Sequence, residues 1–176
     1  MKKFLLASIF ILVTLIGSAQ EIKYGVRGAL NISNLDFDPD STFENKHRNG
    51  FAFAGFVEFG FSEELSLHTE LQWSAEGGKD ESIRADYLHL PIMLKLSVSD
   101  RLSFGAGPQI SLKTWKNNDA FSTFAFSGVV GAEYMITSEL FVDARFSYGL
   151  SNILDEDFTD AEAKNHVMQF GFGIKI

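Results

Sequence analysis

Eight stretches of this chain alternate apolar and polar residues with a period of two. Successive side chains of a strand point to opposite faces, so each stretch is two-sided. The clearest is LFVDARFSYG (residues 140–149), where Leu140, Val142, Ala144, Phe146 and Tyr148 share one side. Asp143, Arg145 and Ser147 share the other. Two charges so close to the middle of a strand forbid burying both faces in an apolar core. Either the apolar side packs on a core and the polar side meets water, or the arrangement is inverted and the apolar side faces outward.

The other seven stretches are IKYGVRGAL, FAFAGFVEFG, LSLHTELQW, YLHLPIMLKL, LSFGAGPQISL, FAFSGVVGAEY and HVMQFGFGIKI. None of the rest of the chain shows a long helical period. The connections alternate in length. GFSEE, SVSDR and ITSE are brief and built from turn-forming residues. The intervening four, Ile32–Gly50, Ala75–Asp86, Lys113–Phe121 and Ser151–Asn165, are longer and polar. SEELSL, SDRLSF and TSELFV form a weak internal repeat that marks three equivalent hairpins.

An even number of strands of about 9–11 residues, with short turns at one end and long loops at the other, fits an outer-membrane barrel. In lipid every backbone N–H and C=O must be paired, so a spanning sheet has to close on itself. The expected fold is therefore all-β: an eight-stranded antiparallel up-and-down transmembrane β-barrel. Tyr24, Phe51, Trp73, Tyr134 and Tyr148 fall near strand ends, as interfacial girdles would. The inward charges are then Lys23, Arg27, Glu58, Glu70, Lys95, Glu133, Asp143, Arg145 and Lys175, nearly balanced in sign. A barrel of eight strands is only wide enough for its own side chains to fill, so these charges are expected to pair as a structural network rather than line an ion path. A soluble lipocalin-like carrier would reverse the faces. The apolar faces here are too bulky and aromatic to fit one small cavity.

The blocks YGVRGALNISNL, LHTELQWSAEGG, YLHLPIMLKL, GAGPQISL, FVDARFSYGLSNI and GFGIKI resemble the PorT-type outer-membrane β-barrel family over essentially all of residues 20–176. The resemblance implies the fold and an outer-membrane location. One namesake implies a link to protein secretion.

Composition narrows the function further. MKKFLLASIFILVTLIGSAQ has two lysines, an apolar run of about 14 residues and small residues at Gly17, Ser18 and Ala19, the layout of a secretory signal peptide. The run is short of the roughly 20 residues a spanning helix needs. Cleavage after Ala19 is expected, leaving residues 20–176 as the barrel domain. Losing residues 1–19 removes two of the 15 basic residues and none of the 23 acidic ones, giving a net charge of −10. That balance argues against nucleic-acid binding. The chain has no cysteine, which excludes disulfides and thiolate zinc sites.

Motifs for chemistry are weak. His68 and Glu70 share the inward face of the third strand and His89 faces inward on the fourth, but no motif sets a nucleophile beside a base. Hydrogen-bonded lumen histidines are the expected reading, and no catalytic residue is assigned. Asp36, Asp38 and Asp40 alternate as calcium ligands can, yet Ser41 and His47 stand where an EF-hand needs Gly and Glu. DEDFTDAE (155–162) reads as a solvated acidic loop. Gly105, Gly107 and Pro108 lack the Lys-Ser/Thr of a phosphate loop. Pro91 and Pro108 lack ladder donors and require a bulge or a local gap in pairing. No cofactor is expected. The expected role is a structural or interaction scaffold that meets outer-membrane lipids, lipopolysaccharide or protein partners through loops 32–50 and 151–165. The alternatives are a component of a secretion or transport machine, a small pore, or a lipid-modifying enzyme.

Overall fold

A computed structural model describes residues 21–38, 46–80, 83–114, 122–154 and 162–176. The expected signal peptide lies outside these residues, as do Asp40, Ser41 and most of the acidic stretch 155–162. Eight strands follow one another around a closed barrel, each antiparallel to its neighbours: β1 (Ile22–Asp38), β2 (Arg48–Gly60), β3 (Leu65–Gly77), β4 (Arg84–Ser97), β5 (Leu102–Lys113), β6 (Phe124–Met135), β7 (Leu140–Gly149) and β8 (Glu162–Lys175). β8 closes on β1 through a register running from Gly25↔Lys175 to Asp38↔Glu162.

The three short turns are one motif used three times. Ser62, Ser99 and Thr137 each accept two backbone N–H bonds through the side-chain oxygen, from Glu64 and Leu65, Arg101 and Leu102, and Glu139 and Leu140. Leu65, Leu102 and Leu140 return their carbonyls to the first two residues of each turn. A hydroxyl at that position substitutes for the missing ladder partner, which is why the sequence repeats there. The prolines are accommodated by gaps. Pairing of β4 with β5 skips from Pro91↔Gln109 to Leu94↔Ala106 with no change of register, and that of β3 with β4 skips from Thr69↔Ile92 to Gln72↔His89.

The outer face is an apolar belt. On β1, Ile22, Tyr24, Val26, Leu30 and Ile32 are all exposed, as are Met168, Phe170, Phe172 and Ile174 on β8 and Ile176 just past it. Tyr24 and Tyr134 stand on this face at the short-turn end; Phe51, Trp73 and Tyr148 stand on it at the long-loop end. From Ile22 to Ile32 the belt matches the 9–11 residues a tilted strand needs to span.

Beyond Ile32 the polarity inverts. The outward pairs of β1 and β8 become Asn34–His166, Asp36–Lys164 and Asp38–Glu162. The inward positions become apolar instead: Leu35, Ala125, Ile153 and Ala163 are buried together, with Phe37, Ile83 and Leu154 packed against them. This cluster sits across the lumen at the long-loop end. Its inside-in, polar-out arrangement is that of a water-soluble sheet, built on the same strands that below it are inside-out.

Candidate functional site: a closed polar lumen and the rim above it

Period-2 alternation sends Arg27, Glu58, Glu70, Lys95, Glu133, Asp143, Arg145 and Lys175 into the barrel, all buried or nearly so. Near the short-turn end two lysines and two glutamates form a ring. Lys95 Nζ donates to Glu58 Oε2 at 2.7 Å and Glu133 Oε1 at 2.9 Å; Lys175 Nζ donates to Glu133 Oε1 at 2.6 Å and Glu58 Oε2 at 3.2 Å. Above it Arg27 grips Asp143 with both prongs, Nε to Oδ2 at 2.7 Å and Nη2 to Oδ1 at 2.6 Å. Its Nη1 reaches Gln169 and Gln72. Arg145 Nη1 lies 2.9 Å from Glu70 Oε1, and His68 links the two tiers, with ring nitrogens 3.4 Å from Glu58 and 3.1 Å from Glu70. The bidentate Arg27–Asp143 pair and opposite charges at the other nodes are what allow ions to stay in a desolvated interior.

Glycines make the room for these groups. A Cβ on Gly171 would lie 2.7 Å from both Arg27 Nε and Asp143 Oδ2, and one on Gly131 would lie 2.8 Å from Arg145 Cγ. A Cβ on Gly105 would lie 2.7 Å from Met93 Cε and 3.0 Å from Lys95 Cγ.

Lys23 departs from the expected set. Its ammonium pairs with Glu21 at 3.1 Å and both side chains are well exposed, 41% and 73%. Backbone bonding between β1 and the end of β8 stops at the Tyr24–Ile176 pair, so Lys23 lies at the open mouth. Glu76 takes its place in the interior. The sequence reading put Glu76 in the loop Ala75–Asp86, but β3 continues to Gly77, and its inward series His68, Glu70, Gln72, Ser74, Glu76 runs unbroken into that segment. That continued alternation was the available signal.

Glu76 anchors a third tier. It accepts from Ser74 Oγ at 2.6 Å and from Asn165 Nδ2 at 2.6 Å, and its Oε1 lies 2.8 Å from His89 Nε2. His89 Nδ1 is 2.7 Å from Ser111 Oγ. The order hydroxyl, imidazole, carboxylate is that of a hydrolase relay, but the space beside it is about 20 Å³, room for about one water molecule and no substrate. All three side chains are buried, beneath the apolar cluster of Leu35 and Ile153. Among the described residues no three His, Cys, Asp or Glu side chains are grouped as a metal site. Asp36 and Asp38 stand at the top of β1, and the Asp36 carboxylate is 3.7 Å from His166.

Outside the lumen, the described residues of the long-loop end form a basic cleft. Its volume is about 600 Å³ and it is lined by Lys46, His47, Arg48, Asn49, Lys79 and Arg84.

A closed eight-stranded barrel with an apolar belt and a charge-filled lumen defines a small membrane-spanning barrel. The chain belongs to the Outer membrane protein beta-barrel domain family, which matches residues 18–155. It is thus a small barrel of the bacterial outer membrane. The fold is shared with Ail, the attachment invasion locus protein of Yersinia pestis, at 13% identity and a TM-score of 0.54, covering 89% of this chain and 99% of that one. It is shared equally with Neisserial surface protein A, at 10% identity and a TM-score of 0.55, covering 90% and 99%. Ail has also been seen in complex with the heparin analogue sucrose octasulfate. No curated protein matches the chain in sequence.

Proposed function

We propose that this protein is a non-conducting, non-catalytic scaffold of the outer membrane that acts through its long-loop end. The observation that carries the reading is the lumen. Three interlocked tiers of side chains fill it, an apolar cluster caps it, and the cavity beside the Glu76–His89 tier is about one water molecule in size. With the bore occupied, what the barrel offers its surroundings is the outer wall and the rim. The buried charges serve as a structural plug, and the rim at loops 32–50 and 151–165 serves as the contact surface.

Short turns point to the periplasm and long loops to the exterior in barrels of this kind. In this reading the signal peptide at residues 1–19 delivers the chain across the inner membrane, and its sequence blocks resemble the PorT-type family. The complex of Ail with a sulfated sugar is a precedent for anionic ligands on a barrel of this fold, not a statement about this chain.

Cell fractionation, gel mobility with and without boiling, and planar-bilayer recording test the reading together. The expected result is an outer-membrane protein with a heat-modifiable band and no steady conductance. Regular single-channel openings from the purified barrel would overturn the plug, and recovery as a soluble periplasmic protein would overturn the membrane assignment.

A further inference from the structure

The cleft at the rim is assembled with care for a surface feature. β3 ends at Gly77, whose φ of +88° lets the chain turn where a Cβ would meet the Ile83 carbonyl at 2.4 Å. Gly78 N then donates to Ile83 O, and Gly78 forms an isolated bridge with His47. Lys79 N donates to Lys46 O at 3.0 Å, so backbone bonds draw the β1–β2 and β3–β4 connections together and set Lys46 beside Lys79. Arg84 Nη2 donates to the Lys79 carbonyl at 3.1 Å, and Arg48 is held by the Glu76 carbonyl and Asp86. The described residues that line it include Lys46, Arg48, Lys79, Arg84 and His47, with Arg48 ion-paired to Asp86 at 3.1 Å. This occurs in a chain of 23 acidic and 15 basic residues, where a chance patch of one sign would be negative.

Its height narrows the occupant. Asn49 lies on the same face of β2 as Phe51 and Phe53, which are 52% and 61% exposed on the lipid side. Phe51 rests on Trp73 with ring centroids 6.1 Å apart, the interfacial aromatic pair of this side. One pleat, roughly 7 Å along the strand, separates Phe51 from Asn49. Beyond the hydrocarbon core the polar layer of a leaflet is itself only about 5–7 Å deep. The cleft therefore opens at the level of lipid headgroups, where the anions are phosphates.

From this position and charge we propose that the cleft made by Lys46, His47, Arg48, Lys79 and Arg84 binds the phosphorylated sugar headgroup of an outer-leaflet glycolipid by direct cation–phosphate contact. The proposal rests on the scaffold reading above and gives it a ligand class. Direct contact differs from attachment through divalent ions bridged to the acidic loop residues, because it needs no metal.

The test uses the full-length mature barrel refolded in detergent and a fluorescent bisphosphorylated diglucosamine lipid. The comparison probes are the same lipid without phosphates and the bisphosphorylated diglucosamine without acyl chains. The expected result is preferential binding of the phosphorylated lipid that persists in excess EDTA. Each charge removed near a membrane surface weakens such binding about five-fold, so Lys46→Gln with Lys79→Gln weakens it about 25-fold. Lys164→Gln, on β8 opposite Asp36, leaves it unchanged. Full affinity in the double variant, or loss of binding in EDTA, overturns the proposal. Equally tight binding of the sugar without acyl chains overturns the choice of a membrane ligand. Gel mobility and fractionation of the same variants separate the two levels: a variant still inserted and heat-modifiable but binding normally sinks the cleft alone, whereas failure of the wild type to reach the outer membrane sinks the scaffold reading.

Discussion

Replacing Asp143 by Ala should be among the most damaging single changes in this barrel. Both members of the Arg27–Asp143 pair are 1% exposed, and their two contacts are 2.6 and 2.7 Å long. Arg145 has Glu70 as a second carboxylate at 2.9 Å, so it tolerates the loss. Arg27 does not: its remaining hydrogen bonds in the lumen are to the neutral amides of Gln72 and Gln169. A buried guanidinium left without its counter-ion costs about 3–5 kcal/mol, a large part of the roughly 5–15 kcal/mol that holds a typical domain folded. Removing both charges with matched volume, Arg27→Met with Asp143→Leu, should recover most of that loss, because it removes the desolvated ions along with their attraction. Reversible urea unfolding in phospholipid vesicles, followed by tryptophan fluorescence and gel mobility, measures both. If Asp143→Ala costs under about 1 kcal/mol, the reasoning fails. Water must then reach Arg27, and the lumen is wet rather than plugged.

Other changes probe the remaining parts of the fold. Val130→Arg, on the lipid face midway along β6, should cost about 2–4 kcal/mol near the bilayer midplane and abolish the heat-modifiable band, whereas the same change at exposed Lys23 should be silent. Gly171→Val should separate Arg27 from Asp143 and lower the unfolding free energy by about 1–3 kcal/mol or more, read by the same urea titration. Ser99→Ala removes the acceptor for two backbone N–H groups in one turn and should cost about 0.5–1.5 kcal/mol, with Ser99→Thr restoring it. Ser111→Ala should leave any background ester hydrolysis by the purified barrel unchanged, since the His89 imidazole has no substrate space beside it.

The barrel was legible in the sequence because its rule is local. A period of two with charges on one side and aromatics on the other can be read residue by residue, and Asp143 and Arg145 in LFVDARFSYG were sufficient to raise the inversion. Pairing was not legible. Arg27 meets Asp143 across 116 residues, and that contact depends on how the register of eight strands accumulates around the barrel, a global quantity with no local trace. Lys23 was misjudged because alternation gives the face of a strand but not the height at which its neighbour ends. Glu76 was missed for the opposite reason: WSAEGG has the composition of a loop, and composition was allowed to outweigh an alternation that continues through it. The rim cleft was invisible because Lys46 and Lys79 come together only through a backbone bond between two connections.

The inversion of polarity between Ile32 and Asn34 also acts as a waterline. Sliding the barrel outward by two residues would strip lipid from Leu30 and Ile32; sinking it by two would drag Asn34 and His166, then Asp36 and Lys164, into hydrocarbon. Both displacements are opposed, so the depth of immersion is set by the chain rather than by the thickness of whichever membrane receives it, and a mismatched bilayer has to deform to meet it. About six residues of β1, some 15 Å of tilted strand, then stand clear of the lipid as a ladder-bonded parapet with its own dry interior. Its footing would keep the loops at a constant elevation above the cell surface.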